Sequence, residues 1–448
     1  MTGKTIRIGG ASGFWGDSSV GAPQLVRHGN IDYLVFDYLA ELTMSILASA
    51  RLRKPELGYA TDFVTVTMKS LIGEIAERGI RVTSNAGGMN PHGCAEAIAA
   101  LAAEQGLSLR IAVVEGDDVM PLLPQLRDAG VRDMQKGRPL PEKVVSANAY
   151  LGALPIRQAL DHGAQIVITG RCVDSAVTLG VLMHEFGWQP DDYDRLAQGS
   201  LAGHIIECGC QATGGLHTDW ESVPDWPNMG YPVVECRDDG SFVVGKPSAT
   251  GGLVSTATVG EQVLYEIGDP AFYLLPDVTC DFTRVELRQI GQNLVEVSGA
   301  RGRAPGGAYK VSATYIDGFR CNAQLSIIGV DAVARRSAPG KPSSRARAGS
   351  SRRTAGATIS APASRCSARN PASGRVRRRA TRAKSSCGLP SLTGIRPHWN
   401  CSPGRSPPRE RVGHPAPRAL AEAGVPAHRH RSGSTPSCWT RQRWRQSS

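Results

Sequence analysis

Short apolar runs alternate with helix-period stretches through the first part of the chain, and several of the runs end in a small or polar cluster. TIRIGGASGFWGDSS comes first, followed by YLVFDYLAE, IRVTSNAGGMNP, LRIAVVEGDD and AQIVITGRCVDSA. Tyr33 to Phe36 has the continuous apolar character of a buried strand. Between the runs lie FVTVTMKSLIGEIAERG and CAEAIAALAAEQG, each closed by a glycine where a helix C-cap favours one. Strand, loop and helix repeating in this way predict an α/β fold with a largely parallel sheet and flanking helices. Past about residue 230 the texture changes. FVVGKPSATGGLVSTATV, VTCDFTRVELRQI, NLVEVSGARG, YKVSATYI and AQLSIIGV are short, β-branched and punctuated by Gly or Asp. They predict a β-rich second half, mixed or antiparallel. Residues 1 to about 335 read as one α/β domain, whose two halves could form lobes sharing a cleft.

Charge divides the chain at the same place as pattern. Asp331 to Ser448 carries 25 basic residues against 3 acidic, leaving 26 basic and 37 acidic in Met1 to Val330. The net charge of +11 is therefore −11 in the patterned part and +22 in the tail. An acidic patterned part argues against nucleic-acid binding there. No run of 18 apolar residues offers a membrane span, and the polar start MTGKTIRIGGASG lacks a signal peptide's apolar core. A cytoplasmic location is the expectation. Cys94, Cys172, Cys208, Cys210, Cys236, Cys280 and Cys321 are scattered, which predicts thiols rather than a disulfide framework.

In open α/β sheets ligands bind at the carboxyl ends of the strands, so the loops after the apolar runs are candidates as a group. Gly9 to Asp17 has the glycine density of an anion-cradling loop, in which Gly9, Gly10, Ser12, Gly13 and Asp17 would meet substrate. It contains neither G-x-G-x-x-G nor a Lys-Ser/Thr ending, and a tight turn beside Trp15 explains it as well. In SNAGGMNP, Asn85 and Asn90 flank Gly87 and Gly88, and an Asn amide both donates and accepts, which suits a carbonyl or carboxylate. A plain turn has the same glycines. In EGDD, Glu115 and Asp117 could serve as acid and base or hold Mg²⁺, while helix capping is the simpler role.

TGRCVDS is the most pointed cluster. Arg171 could clamp an anionic group beside Thr169 and Gly170, with Asp174 three residues on as base, or the two could form a buried structural pair. In LAGHIIECGCQATGG, His204 and Glu207 fall i,i+3 on a helix, and His204 is a further acid/base candidate. His-x-x-Glu-Cys-x-Cys matches no standard zinc pattern, so no metal is expected. G-x-S-x-G is absent, which gives nucleophilic catalysis no support.

These stretches, together with ANAYLGALPI, IVITGRCVDSAVTLGVLMHEFGW, GYPVVE, KPSATGG and LYEIGDPAFYLLPDV, resemble the acyclic terpene utilisation family over residues 5 to about 335. The resemblance implies a catabolic protein working beside acyl-CoA carboxylation and breakdown. Its substrate would be a small carboxylate or a CoA thioester, and acyl-CoA carboxylase subunits would be possible partners. It assigns no catalytic residue and no cofactor, only the expectation that the clusters line one site. Many members carry a further small ferredoxin-like domain, which this sequence lacks a match for. The two function classes left open are a lyase- or hydratase-like enzyme and a non-catalytic accessory subunit.

The resemblance ends near Arg335, where composition also breaks. The tail, residues 336 to 448, has 23 Arg counted from Asp331 and neither Phe nor Tyr, so it cannot bury enough apolar surface to offset chain entropy and is expected to be disordered. Its Arg, Ala, Pro and Gly all have GC-rich codons, as a GC-rich gene yields when read out of frame. Shifting the frame by one from Lys384 to Arg418 permits an apolar-periodic sequence. The expectation is a frame slip between about Arg335 and Lys341, with an Arg-rich nucleic-acid-binding arm as the alternative. Resequencing codons 330 to 345 separates the two.

Overall fold

The structure is a computed structural model; it describes residues 3–317 in full and, beyond them, only the backbone of four short strands. The expectations of tail disorder and of a slipped frame lie outside the described residues. In chain order the elements are β1 (Thr5–Gly10), α1 (Gly21–His28), β2 (Tyr33–Phe36), α2 (Glu41–Arg53), α3 (Lys69–Glu77), β3 (Arg81–Ser84), α4 (Pro91–Glu104) and β4 (Ile111–Val114). There follow α5 (Leu123–Asp128), β5 (Val144–Ala149), α6 (Leu154–Asp161), β6 (Ile166–Thr169), α7 (Ala176–Phe186) and α8 (Tyr193–Ile206). The later part holds β7 (Val233–Arg237), β8 (Phe242–Gly245), α9 (Thr256–Leu264), β9 (Tyr273–Leu274), β10 (Thr279–Asp281), β11 (Glu286–Gly291), β12 (Leu294–Ser298), β13 (Arg301–Arg303) and β14 (Ala308–Tyr315).

One nine-stranded sheet organises these elements in the order β11-β12-β8-β7-β1-β2-β3-β6-β4. The strands from β1 to β4 in that order are parallel, and those from β7 to β11 join antiparallel. The change of texture near residue 230 is thus the change from parallel to antiparallel pairing. Alternation along the parallel strands feeds two cores. Ile6, Ile8, Tyr33, Val35 and Val167 pack with α6, α7 and α8, whereas Leu34, Phe36, Val82, Ile166 and Ile168 pack with α1, α3 and α4. Both faces are buried, which is why these strands read as continuous apolar runs.

Local signals hold where they were strongest. Gly79 (φ +66°) and Gly106 (φ +69°) follow the two helices whose closing glycines the sequence marks. FVTVTM differs from expectation, since Phe63–Met68 forms a π-helical stretch leading into α3. The six described cysteines, Cys94 to Cys280, are free thiols.

A smaller ribbon stands apart from the main sheet: β5 pairs antiparallel with β14, whose other edge meets the backbone of Gly433–Thr440. Ala147, Ala149, Val311 and Ala313 turn one face of the ribbon to an apolar cluster with Leu123 and Leu126. Its other face is polar and buried, with Ser146, Asn148, Tyr150, Ser312 and Thr314. The remaining unit, residues 316–416, contains the antiparallel strands Asn322–Leu325, Arg365–Ala368 and Ser385–Gly388.

Candidate functional site

The polar residues that follow the parallel strands come together. Asp37 follows β2, Asn85 follows β3, and Arg171 and Asp174 follow β6; His204 and Glu207 enter from the end of α8. Carboxylate oxygens of Asp37, Asp174 and Glu207 lie within 4.8 Å of one another. Asp37 and Glu207 are buried, and Asp174, with 33% of its side chain exposed, is the member that meets solvent. Arg171 is buried beside them. Its Nη1 donates to Asp174 Oδ1 at 2.8 Å and to the Cys172 carbonyl, and its guanidinium carbon stacks 3.9 Å from the centre of the Tyr150 ring.

Each carboxylate has a partner that fixes it. Asn85 Nδ2 donates to Asp37 Oδ1 at 2.5 Å while Asn85 Oδ1 accepts the Tyr38 N–H at 2.8 Å, and His204 Nδ1 lies 2.9 Å from Glu207 Oε1. Three carboxyls beside one cation cannot all ionise freely. Burial, followed by the charges of Asp174 and Glu207, pushes the Asp37 carboxyl well above the usual carboxylate range. Burial and then Asp174 do the same to Glu207, and burial lowers His204, so both shifts favour the neutral forms across their contact. Burial alone would weaken the positive charge of Arg171, but Tyr150, Asp174 and Asp37 hold it protonated. Three carboxylate oxygens are a donor set that an oxygen-preferring divalent cation can use.

Asp117 forms a second layer. Its Oδ2 accepts from the Arg171 N–H and from Asn148 Nδ2, both at 2.8 Å, and burial raises its carboxyl to about 6. A Cβ on Gly170 would lie 2.4 Å from Asp117 Oδ1, so glycine there is a packing requirement. Since the folded value lies above the unfolded one, the unfolded chain ionises Asp117 first and stability falls as pH rises from about 4 to about 6. Asp117→Asn keeps an acceptor for both N–H groups, and urea melts from pH 4 to 7 should therefore show it losing less stability than the wild type over that interval. An unchanged pH slope would mean that Asp117 ionises normally.

Beyond Arg171 the polar face of the β5–β14 ribbon completes the surroundings. Tyr150 Oη donates to Glu41 Oε1 at 2.5 Å, and Lys310 Nζ donates to the same oxygen at 2.8 Å while lying 4.5 Å from the Tyr150 ring centre. Burial works against the Glu41 charge, but Lys310 prevails and holds its carboxyl down at about 2. Tyr150 thus sits between two cations. Arg171 Nε, His204 Nε2, Asn148 Oδ1 and Ser312 Oγ are buried without a hydrogen-bond partner.

Several sequence candidates have other duties here. Glu115 is 63% exposed and pairs with His92 at 2.7 Å, because it leaves the outer strand of the sheet before Gly116 (φ +105°) turns the chain inward to Asp117. Asp118 caps the next turn by accepting the Met120 N–H. In the glycine loop the N–H groups of Gly10, Ala11, Gly13, Trp15 and Asp17 are taken by internal acceptors, Asp17 serving Gly13 at 3.0 Å, so the loop does not present them to an anion. Gly9 packs on Leu25 and Ile31, and Ser12 Oγ donates to the Asp37 carbonyl. Gly87 is pressed on the Thr169 carbonyl and Gly88 (φ +51°) on Leu47, while Asn90 caps α4 by accepting the Gly93 N–H. Thr169 Oγ1 donates to the carbonyl of Gly170. At 2% exposure Arg171 is a fixed charge beneath the carboxylates rather than a surface clamp. Sequence reading missed Asp37, Glu41, Asn148, Tyr150 and Lys310. Asp37 had a signal, as the polar residue directly after a buried strand, the position Asn85 also holds.

The arrangement defines a three-layer α/β protein with a buried carboxylate cluster over the carboxyl ends of its parallel strands. The family model described as "Acyclic terpene utilisation family protein AtuA" matches residues 6–381, and the chain belongs to that family. The match continues past Arg335, beyond the end of the resemblance read from the sequence. No curated protein and no solved structure matches the chain. No helix among the described residues is long and apolar enough to cross a membrane.

Proposed function

We propose that the protein performs lyase- or hydratase-like proton transfer on a carboxylate or acyl-CoA intermediate of acyclic terpene breakdown in the cytoplasm. The observation that carries this reading is the trio Asp37, Asp174 and Glu207, gathered within 4.8 Å beside Arg171, with burial pushing the carboxyls of Asp37 and Glu207 upward. Paired carboxyls in unlike environments divide acid and base roles between them. Asp174, the exposed member, takes the proton on the carbon next to the carbonyl. Glu207 or Asp37 gives a proton to a departing β-hydroxyl, which leaves as water while the carbon–carbon double bond forms. Arg171, pinned on Tyr150, steadies the charge of Asp174 through this exchange.

Incubating the protein in D₂O with a panel of acyl-CoAs and free short-chain acids tests this by NMR. Deuterium should enter the carbon next to the carbonyl of at least one compound, and Glu207→Gln and Asp37→Asn should slow that exchange by about 10²- to 10⁴-fold. The same compound should raise the melting temperature by mass action. A panel giving neither exchange nor stabilisation would overturn the enzymatic reading in favour of an accessory subunit that binds a carboxylase partner.

A further inference from the structure

The nine-stranded sheet has two edges, and they are built differently. At one end β11 presents Glu286 and Arg288, both exposed, and its register shifts between Gln289 and Gly291. Charges and an irregular register are the usual means of keeping an edge strand from pairing with another chain. At the other end β4 reads Ile-Ala-Val-Val, with no charge, proline or bulge within the strand. Among the described residues β6 is its only strand partner, so the outer row of β4 backbone groups is unpaired. Ile111, Ala112 and Val113 are half-buried, and beside α6 they floor a groove of about 440 Å³ whose other walls include Pro155, Gln158 and His162.

We propose that this edge is the interface between two copies of the chain, β4 pairing antiparallel with β4 of a second copy about a two-fold axis perpendicular to the sheet. The occupant follows from the ends of the strand. Arg110 precedes it and Glu115 follows it, both exposed. Antiparallel pairing brings the basic end of each strand beside the acidic end of the other, whereas parallel pairing would set Arg110 against Arg110. A two-fold contact of this kind closes on itself, so one dimer forms and no fibre grows. The outer edges of the two β4 strands then meet at the centre of one continuous sheet, twice the nine strands of one copy.

Sedimentation equilibrium or light scattering on the full chain at micromolar concentration should give twice 47.6 kDa. Val113→Lys should give the single-copy mass, with far-UV circular dichroism unchanged. Arg110→Glu should weaken the dimer roughly tenfold, and Arg110→Glu combined with Glu115→Arg should recover that loss. Both charge variants alter exposed side chains, so they remain informative if Val113→Lys fails to fold. A wild type of single-copy mass overturns the proposal. So does a dimer indifferent to Val113→Lys and to the charge reversal, since its interface would lie elsewhere. None of these readouts depends on the reaction the protein catalyses.

Discussion

Replacing Arg171 with methionine is expected to destabilise the fold by about 3–5 kcal/mol, the usual cost of stripping a buried charge of its partner. Methionine fills much of the same volume and can still lie on the Tyr150 ring, so the loss is chiefly electrostatic. What remains is Asp174 without its 2.8 Å donor, facing Asp37 and Glu207 within 4.8 Å. The pH dependence identifies the cause. Arg171 lowers the carboxyls of Asp37 and Glu207, so removing it raises both further above their unfolded values. A carboxyl raised in the folded state contributes stability at low pH that is lost as pH climbs toward its folded value. The deficit of Arg171→Met should therefore widen as pH climbs through the range in which the wild-type carboxyls ionise, which urea melts over a pH series would locate. A loss under about 1 kcal/mol, or one independent of pH, would mean that the carboxylates do not depend on this guanidinium.

How far the site could be read from sequence depended on the range of each interaction. Arg171 and Asp174 were found because both lie on one short loop, and their contact spans three residues. Asn85 was found as a polar residue after a buried strand, although its partner Asp37 is 48 positions away. Glu41, Tyr150 and Lys310 were missed because they converge only when β14 pairs with β5, and Lys310 is 269 residues from the carboxylate it binds. Glycine loops misled for a related reason. A glycine that lets a phosphate approach and a glycine that lets the protein's own atoms approach look alike in one dimension; Gly10, Gly13 and Gly87 admit another stretch of backbone, and Gly170 admits the Asp117 carboxylate. The parallel-to-antiparallel change was legible because burial on both faces and burial on one leave different residue patterns. Strand order was not, since nothing in β4 or β6 states that β6 is inserted between β3 and β4.

Gly10→Ala is expected to damage the site more than the fold. A Cβ at Gly10 would fall 2.3 Å from the Ile206 carbonyl oxygen and 2.9 Å from the Ile206 Cβ, and the first of these is backbone that no side-chain rotation can move. The Gly10 N–H is itself tied to the Pro232 carbonyl at 3.0 Å, so β1 has little freedom to retreat. Relief must come from the end of α8, and the next residue after Ile206 is Glu207. Overpacking of this kind costs roughly 1–3 kcal/mol. The shift would also part Glu207 from His204 and from Asp37, removing the proton donor, so exchange at the carbon next to the carbonyl should fall far more than the loss of folded protein explains. Gly9→Ala supplies the contrast. Its Cβ would meet only the side-chain ends of Leu25 and Ile31, at 3.1 to 3.3 Å, on the face of the strand turned away from α8. It should lose stability without a matching loss of exchange. Equal exchange per folded molecule in the two variants would show that the close approach of β1 to α8 does not position Glu207.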